Sequence, residues 1–185
     1  MLWLLVQVGL TPRLALERSN ANEVRTHKIC ELIEASRFSI HDISRVRLSK
    51  KDEYARLNMP FELGIDFACR RYAPKKRHKR KVILILEEEP YATQKALSDL
   101  SFSDPKPHQC EVEVLLEVLR DWLRTNGFKI KLGAAEIYNR YLDFQLRLLK
   151  ELEARGFSKQ NIQQLNHQEY LDCILDMETM DIGQA

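Results

Sequence analysis

Glycine-rich phosphate loops, nucleophile elbows and clustered metal ligands are all missing from this chain, as is any apolar run long enough to cross a bilayer. Its six glycines are scattered, which excludes a P-loop or a G-x-G-x-x-G turn as the basis of nucleotide binding. Cysteine is sparse: Cys30, Cys69, Cys110 and Cys173 lie far apart, without the paired spacing of a zinc site or a redox motif. They read as reduced thiols of a cytoplasmic protein and as small apolar residues of its interior. Charge of one sign is lacking too. With 29 basic and 27 acidic residues the formal net charge is +2, too little to make nucleic acid or a membrane surface the expected partner. The opening Met1-Leu-Trp-Leu-Leu-Val-Gln-Val8 is apolar but short, and it has neither the basic start nor the cleavage site of a signal peptide. Export and membrane insertion are therefore not expected.

What is present suffices for one domain with an appendage, since 185 residues at 44% hydrophobic content can bury a real core. Apolar residues at helical spacing predict a helix over 23–35, with Asn20 and Asn22 as candidate caps. Phe38, Ile40 and Ile43 fit a short strand that would leave Asp42 at its end. A charged loop over 44–56 then leads to a helix over 58–72, for which Asn58 is a suitable cap and Pro60 fits the first turn. Phe61, Ile65 and Ala68 would form its buried face, and Gly64 would allow close approach to a sheet. The block Val82-Ile-Leu-Ile-Leu86 is the clearest buried strand, and unbroken apolar strands alternating with helices indicate an α/β fold with a parallel sheet. The basic run from Lys75 to Lys81 has no interleaved aromatics and reads as a solvated loop before that strand.

A further helix is expected over 110–124, closed by Asn126-Gly127, with Val112, Leu115, Leu116, Leu119 and Leu123 inward. Beyond Gly133 the pattern becomes purely helical, over 134–154 and then 158–177. Ile137, Tyr141, Phe144, Leu148 and Leu152 share one stripe of the first of these helices. The expected organisation is an α/β domain over 1–126 and a helical C-terminal extension over 134–185, a candidate surface for homo-oligomer formation.

Two elements, His41-Asp-Ile-Ser-Arg45 and Asn58-Met-Pro-Phe-Glu-Leu-Gly64, resemble the signature of bacterial TIR-like proteins related to the nucleoside 2-deoxyribosyltransferases. The resemblance spans roughly residues 10 to 126. It implies a flavodoxin-like parallel sheet flanked by helices. It also implies cleavage or exchange of a bond between ribose and base, with NAD or a related nucleotide as substrate and no separate cofactor, and service in antiviral defence. Asp42 matches the family's strand-end aspartate and Glu62 its catalytic acid. For residues 2–8 two alternatives stand. They are the end of the family's first helix, with the first strand missing upstream of Met1, or they are that strand; Gly9-Leu-Thr-Pro favours the helix.

Breaking an N-glycosidic bond builds positive charge on the ribose, which calls for a fixed carboxylate. Glu62, placed by the sequence in the first turn after Asn58, is the candidate, with Asn58 and Phe61 beside it. Asp66 and Arg70 follow along the same stripe at intervals of four. Asp42 is either a cap for the turn after the strand or a contact to ribose hydroxyls. Arg45 and Arg56 flank the loop, where they could clamp a phosphate or simply lie in solvent. His108, in an irregular segment near Pro105 and Pro107, is either the edge of a pocket or a surface histidine, and the surface reading is favoured. Protein lysed and denatured without oxidant in the presence of an alkylating reagent should take up four equivalents of it, and a smaller uptake would reveal a native disulfide.

Overall fold

The computed structural model describes residues 1–14, 24–46, 57–96 and 104–177. The chain forms two compact units, Ser19–Glu111 and a second that joins Met1–Arg18 to Val112–Ala185. The opening segment and the helix that begins at Val112 thus go with the C-terminal helices, whereas the sequence pattern suggests a boundary between 126 and 134.

The first unit is an open α/β sheet of the flavodoxin-like kind, with elements α2 (Arg25–Ala35), β1 (Phe38–Asp42), α3 (Asn58–Tyr72), β2 (Val82–Glu87), α4 (Ala92–Ala96) and β3 (Lys106–Pro107). The strands lie in the order β1-β2-β3 and both pairings are parallel. β2 is the interior strand, as its unbroken apolar sequence requires. Phe38 pairs with Val82 and Asp42 with Leu86, while Leu86 also faces Lys106. Asn20 and Asn22, the candidate caps of α2, lie outside the described residues; α2 itself starts after Val24.

α3 has the bounds its sequence predicts, but its N-cap is Leu57 and Asn58 is already its first residue, with no side-chain cap. Its inward face also differs. Met59 and Leu63 pack on Ile43, Ile83 and Ile85, and Asp66 follows on the same side. Phe61, by contrast, is 61% exposed and Ala68 faces solvent. Contact with the sheet follows the 59-63-66 rhythm, two residues earlier than the 61-65-68 set and so about 200° away on the helical wheel. Gly64 is exposed, and a Cβ there would meet nothing within 4 Å, so this glycine brings about no close approach.

The second unit contains α1 (Leu2–Gln7), α5 (Val112–Thr125), α6 (Ala134–Ala154), α7 (Lys159–Gln163) and α8 (His167–Asp176). Residues 2–7 are helical, and the alternative of a first strand there is overturned. Gly9, at φ 78°, closes α1, with Leu10 N–H donating to Leu5 O at 3.0 Å. Trp3 is buried against Tyr141 and Phe144 at ring separations of 5.6 and 6.0 Å. The stripe Ile137, Phe144, Leu148 and Leu152 of α6 is buried, as are Leu116, Leu119 and Leu123 of α5. Val112, by contrast, is exposed on α5. The single helix expected over 158–177 is two, because Asn166 accepts from the amides of Gln168 and Glu169 while Glu169 bonds back to Asn166. That capping box starts a new helix and ends the old one.

Three charged or titratable side chains meet inside the α/β unit. Asp66, at 0% exposure, takes His41 Nε2 at 3.0 Å on one oxygen and has Lys81 Nζ at 3.1 Å from the other. Lys81, 3% exposed, also donates to the carbonyls of Ile33 and Ser36, both at 2.6 Å, and so caps the C-terminus of α2. It is no member of a solvated loop, and neither is the buried His78 of the same basic run. Burial opposes ionisation of Asp66, but the hydrogen bond from His41 and the charge of Lys81 outweigh it and hold the carboxyl below its ordinary range. Because the folded-state value is depressed, the stabilisation is complete above the unfolded carboxyl's pKa of about 3.9 and is lost as pH falls through the lower folded value. Asp66→Ala, which strands a buried ammonium, should cost about 3 to 5 kcal/mol in urea unfolding at pH 7. The deficit relative to wild type should shrink as the pH is lowered below about 4. A loss under about 1 kcal/mol at neutral pH would mean the pair is solvated.

Candidate functional site

In open parallel sheets, ligands bind beyond the carboxyl ends of the strands, where loops diverge and helices begin. At that edge β1 ends in Asp42, β2 in Glu87 and β3 in Pro107, with His108 directly after it. α3 runs back along the sheet, since Leu63 packs beside Ile43 while Asp66 meets His41, two residues earlier on the chain. Its N-terminus, with Asn58 and Phe61, therefore lies towards this same edge.

Asp42 is held in one orientation. Its Oδ1 accepts the Ser44 amide at 3.0 Å and the Ser44 hydroxyl at 2.5 Å, a turn capped by its own side chain. His108 Nε2 lies 2.8 Å from Ser44 Oγ and 3.5 Å from Asp42 Oδ1. The proton positions follow from the other ring nitrogen. Nδ1 of His108 accepts the Cys110 amide at 3.1 Å, so in the neutral ring the proton is on Nε2 and is donated to Ser44 Oγ. Ser44 in turn gives its hydroxyl proton to Asp42. A serine nucleophile needs the reverse direction, with histidine accepting from the hydroxyl. The Asp42, Ser44 and His108 set consequently orients a carboxylate and does not activate a serine.

His108 is buried, contrary to its reading as a surface histidine. It is fixed by a loop in which Gln109 and Cys110 both have positive φ, 54° and 56°, an uncommon state for residues other than glycine. The amides of His108 and Gln109 donate to Glu87 O and Glu88 O, each at 2.9 Å, extending the register of β2 and β3 into the loop. Glu87 is also buried, and its two oxygens accept the amides of Tyr91 and Thr93, so it serves the turn into α4. Cys110 is exposed, and its thiol is pushed up by desolvation and then by Glu88 and Asp42, against Arg45, which makes it a poor nucleophile.

The remaining sequence candidates fall at different places. Glu62 is the fifth residue of α3, so it begins the second turn and not the first; it is half-buried and forms no hydrogen bond or ion pair with another described residue. Asn58, Phe61 and Arg45 are exposed, Arg45 lying in a 3-10 turn over Ser44–Val46. Arg56 lies outside the described residues. Asp66, one turn on from Glu62 along the same stripe, is turned fully into the interior, where His41 and Lys81 meet it. Among the described residues no group of three or more His, Cys, Asp or Glu side chains could hold a metal ion. No helix among them is long and apolar enough to cross a membrane. Comparison with protein-family models, with curated proteins and with solved structures finds no match to the chain.

Ser44 and Glu87 escaped the sequence reading, and the burial of His108 was not foreseen there. A histidine after a two-residue strand carries no periodic signal, although Ser44 two residues beyond Asp42 has the spacing of a side-chain-capped turn. In a long-range 1H–15N spectrum His108 in its neutral form should be the Nε2–H tautomer, and Ser44→Ala should move its ring signals. A neutral ring protonated at Nδ1 would overturn the hydrogen-bond directions given above.

Proposed function

We propose that the α/β unit binds a nucleotide at the carboxyl edge of its sheet and breaks the bond between ribose and base, in the manner of the TIR-like and nucleoside 2-deoxyribosyltransferase-like proteins it resembles. The observation that carries this reading is the fixed Asp42 at the end of β1, at the same edge as the N-terminal part of α3 that bears Glu62. Asp42 keeps one carboxylate oxygen for ligand hydroxyls while the other is held by Ser44. Arg45 and Arg56 would meet phosphates, and Asn58 and Phe61 the sugar and base. NAD or a related nucleotide is the substrate class, with no separate cofactor, and the setting is the cytoplasm of a bacterial cell under viral attack.

In the reaction the C1′–N bond breaks and its electron pair leaves with nicotinamide. Glu62 opposes the developing ribosyl cation as nucleophile or as electrostatic partner, and water then adds its oxygen to C1′ and releases a proton. A second reading, a nucleotide-binding module without turnover, draws on one observation: no described residue orients Glu62. A catalytic carboxylate is normally held by neighbours before the transition state arrives.

Purified protein incubated with NAD should release nicotinamide, and Glu62→Gln should lower kcat at least about a hundredfold while leaving binding and thermal stability near wild type. Full activity in that variant would remove Glu62 from the chemistry. Calorimetric binding of nucleotide without any release would favour the binding module, and absence of both would overturn the nucleotide reading.

A further inference from the structure

α6 has a second apolar stripe opposite its buried one. Leu142, Leu146 and Leu149 are 41%, 57% and 38% exposed, and their spacing of four and three residues is that of a d-a-d coiled-coil seam. Asn139 and Glu153 continue the a positions at either end, both exposed. One residue after Leu142 and one after Leu149, at e positions, stand Asp143 and Lys150. Both are exposed, and neither has an ion-pair partner among the described residues.

We propose that a second copy of this chain covers the stripe, with α6 packed antiparallel on α6, Leu146 against the partner's Leu149 and Asp143 paired with the partner's Lys150. The charges select this arrangement. In an antiparallel pair the a positions face d positions and e positions face e positions. With Leu146 level with the partner's Leu149, Asp143 stands beside the partner's Lys150, and two-fold symmetry repeats the pair on the other side of the axis. Sliding by one heptad, so that Leu146 meets the partner's Leu142, sets Asp143 against the partner's Asp143, which is repulsive, while Glu136, the e-position residue that would then face the partner's Lys150, is already paired with Arg140 of its own helix. A parallel, in-register pair places Asp143 beside the partner's Tyr138 and Lys150 beside the partner's Gln145, with no complementary charges. The exposed charge pairs contribute orientation and register more than affinity. Three leucines per copy fall short of the roughly 800 Å² per partner of a standard stable interface, so the dimer is a reversible one. This inference stands apart from the nucleotide reading, because it uses only the helical unit.

Sedimentation of the full chain from low micromolar to several hundred micromolar tests it. Wild-type mass should rise with concentration towards twice that of the monomer. Leu146→Lys, at an exposed position, should weaken the dimer by about tenfold or more without changing the circular dichroism spectrum. Lys150→Glu should weaken it as well, and the combined exchange Asp143→Lys with Lys150→Asp should restore the wild-type curve. A chain that stays monomeric throughout would overturn the proposal, leaving the stripe to another occupant. So would a dimer indifferent to Leu146→Lys, or a double exchange that fails to restore association.

Discussion

A buried ammonium group fixes the α/β unit. Lys81 enters the interior just before β2, where it meets the two last carbonyls of α2 and the carboxylate of Asp66 on α3. Taking these charges out of water is costly, and a pair of apolar side chains of equal volume would fill the space at least as well. What such a pair could not do is supply donors to the carbonyls of Ile33 and Ser36 at the end of the helix, where carbonyls lack their full set of helical partners. One cation therefore serves two helices and the strand that carries it. His41 closes the set from β1, with its Nε2 3.0 Å from the Asp66 carboxylate that Lys81 also meets.

That contact also fixes the height of the candidate site. With Asp66 tied to His41, the last residue but one of β1, α3 cannot slide along the sheet, and each residue towards its N-terminus rises about 1.5 Å in the direction of the carboxyl edge. Glu62 lies one turn above Asp66, about 6 Å nearer the carboxyl edge along the helix axis. Asp66 thus acts on the site by setting where α3 stops. It cannot be used as a silent control for Glu62, because removing its charge disturbs the helix that carries both.

The sequence made the strongest elements legible because their signals are local. Val82 to Leu86 is unbroken and rich in β-branched residues, the α6 stripe repeats over about four turns, and α3 is framed in sequence by a charged segment and by Ala73-Pro74. Positions that depend on tertiary pairing were not legible. Lys81 ends a basic run whose other lysines and arginines are exposed, and nothing local distinguishes the one that turns inward. Asp66 did carry a signal, since Met59, Leu63 and Asp66 lie at core spacing, and a charge there implies a buried partner. That signal was masked by the competing set of Phe61, Ile65 and Ala68, which is more apolar but points sideways and outward. Hydrophobicity ranked the two faces wrongly because the true one contains the ion pair. The division of the chain was hidden for a related reason: α5 is an ordinary amphipathic helix, and its sequence does not state which unit its apolar side covers.

The two acidic residues at the sheet edge differ in how they are held, and the difference bears on what each can do. Asp42 has one oxygen occupied by the amide and hydroxyl of Ser44, with His108 behind it, so its orientation is set before any ligand arrives. Such a group gives affinity and register, because little entropy is lost when it is used. Glu62 is not fixed by any described residue, and in the proposed reaction contacts to the ligand would help to align it. If a substrate's phosphates and ribose hydroxyls are caught first at Asp42 and the flanking arginines, part of that binding free energy can go into drawing Glu62 against C1′. Shortened ligands would then lose turnover more than affinity at Asp42, since they retain the preformed contact and lack the groups that align the second carboxylate. The same asymmetry reconciles the two readings of the site: preformed recognition at β1 is common to both, and only the fate of Glu62 on binding separates a sensor from an enzyme.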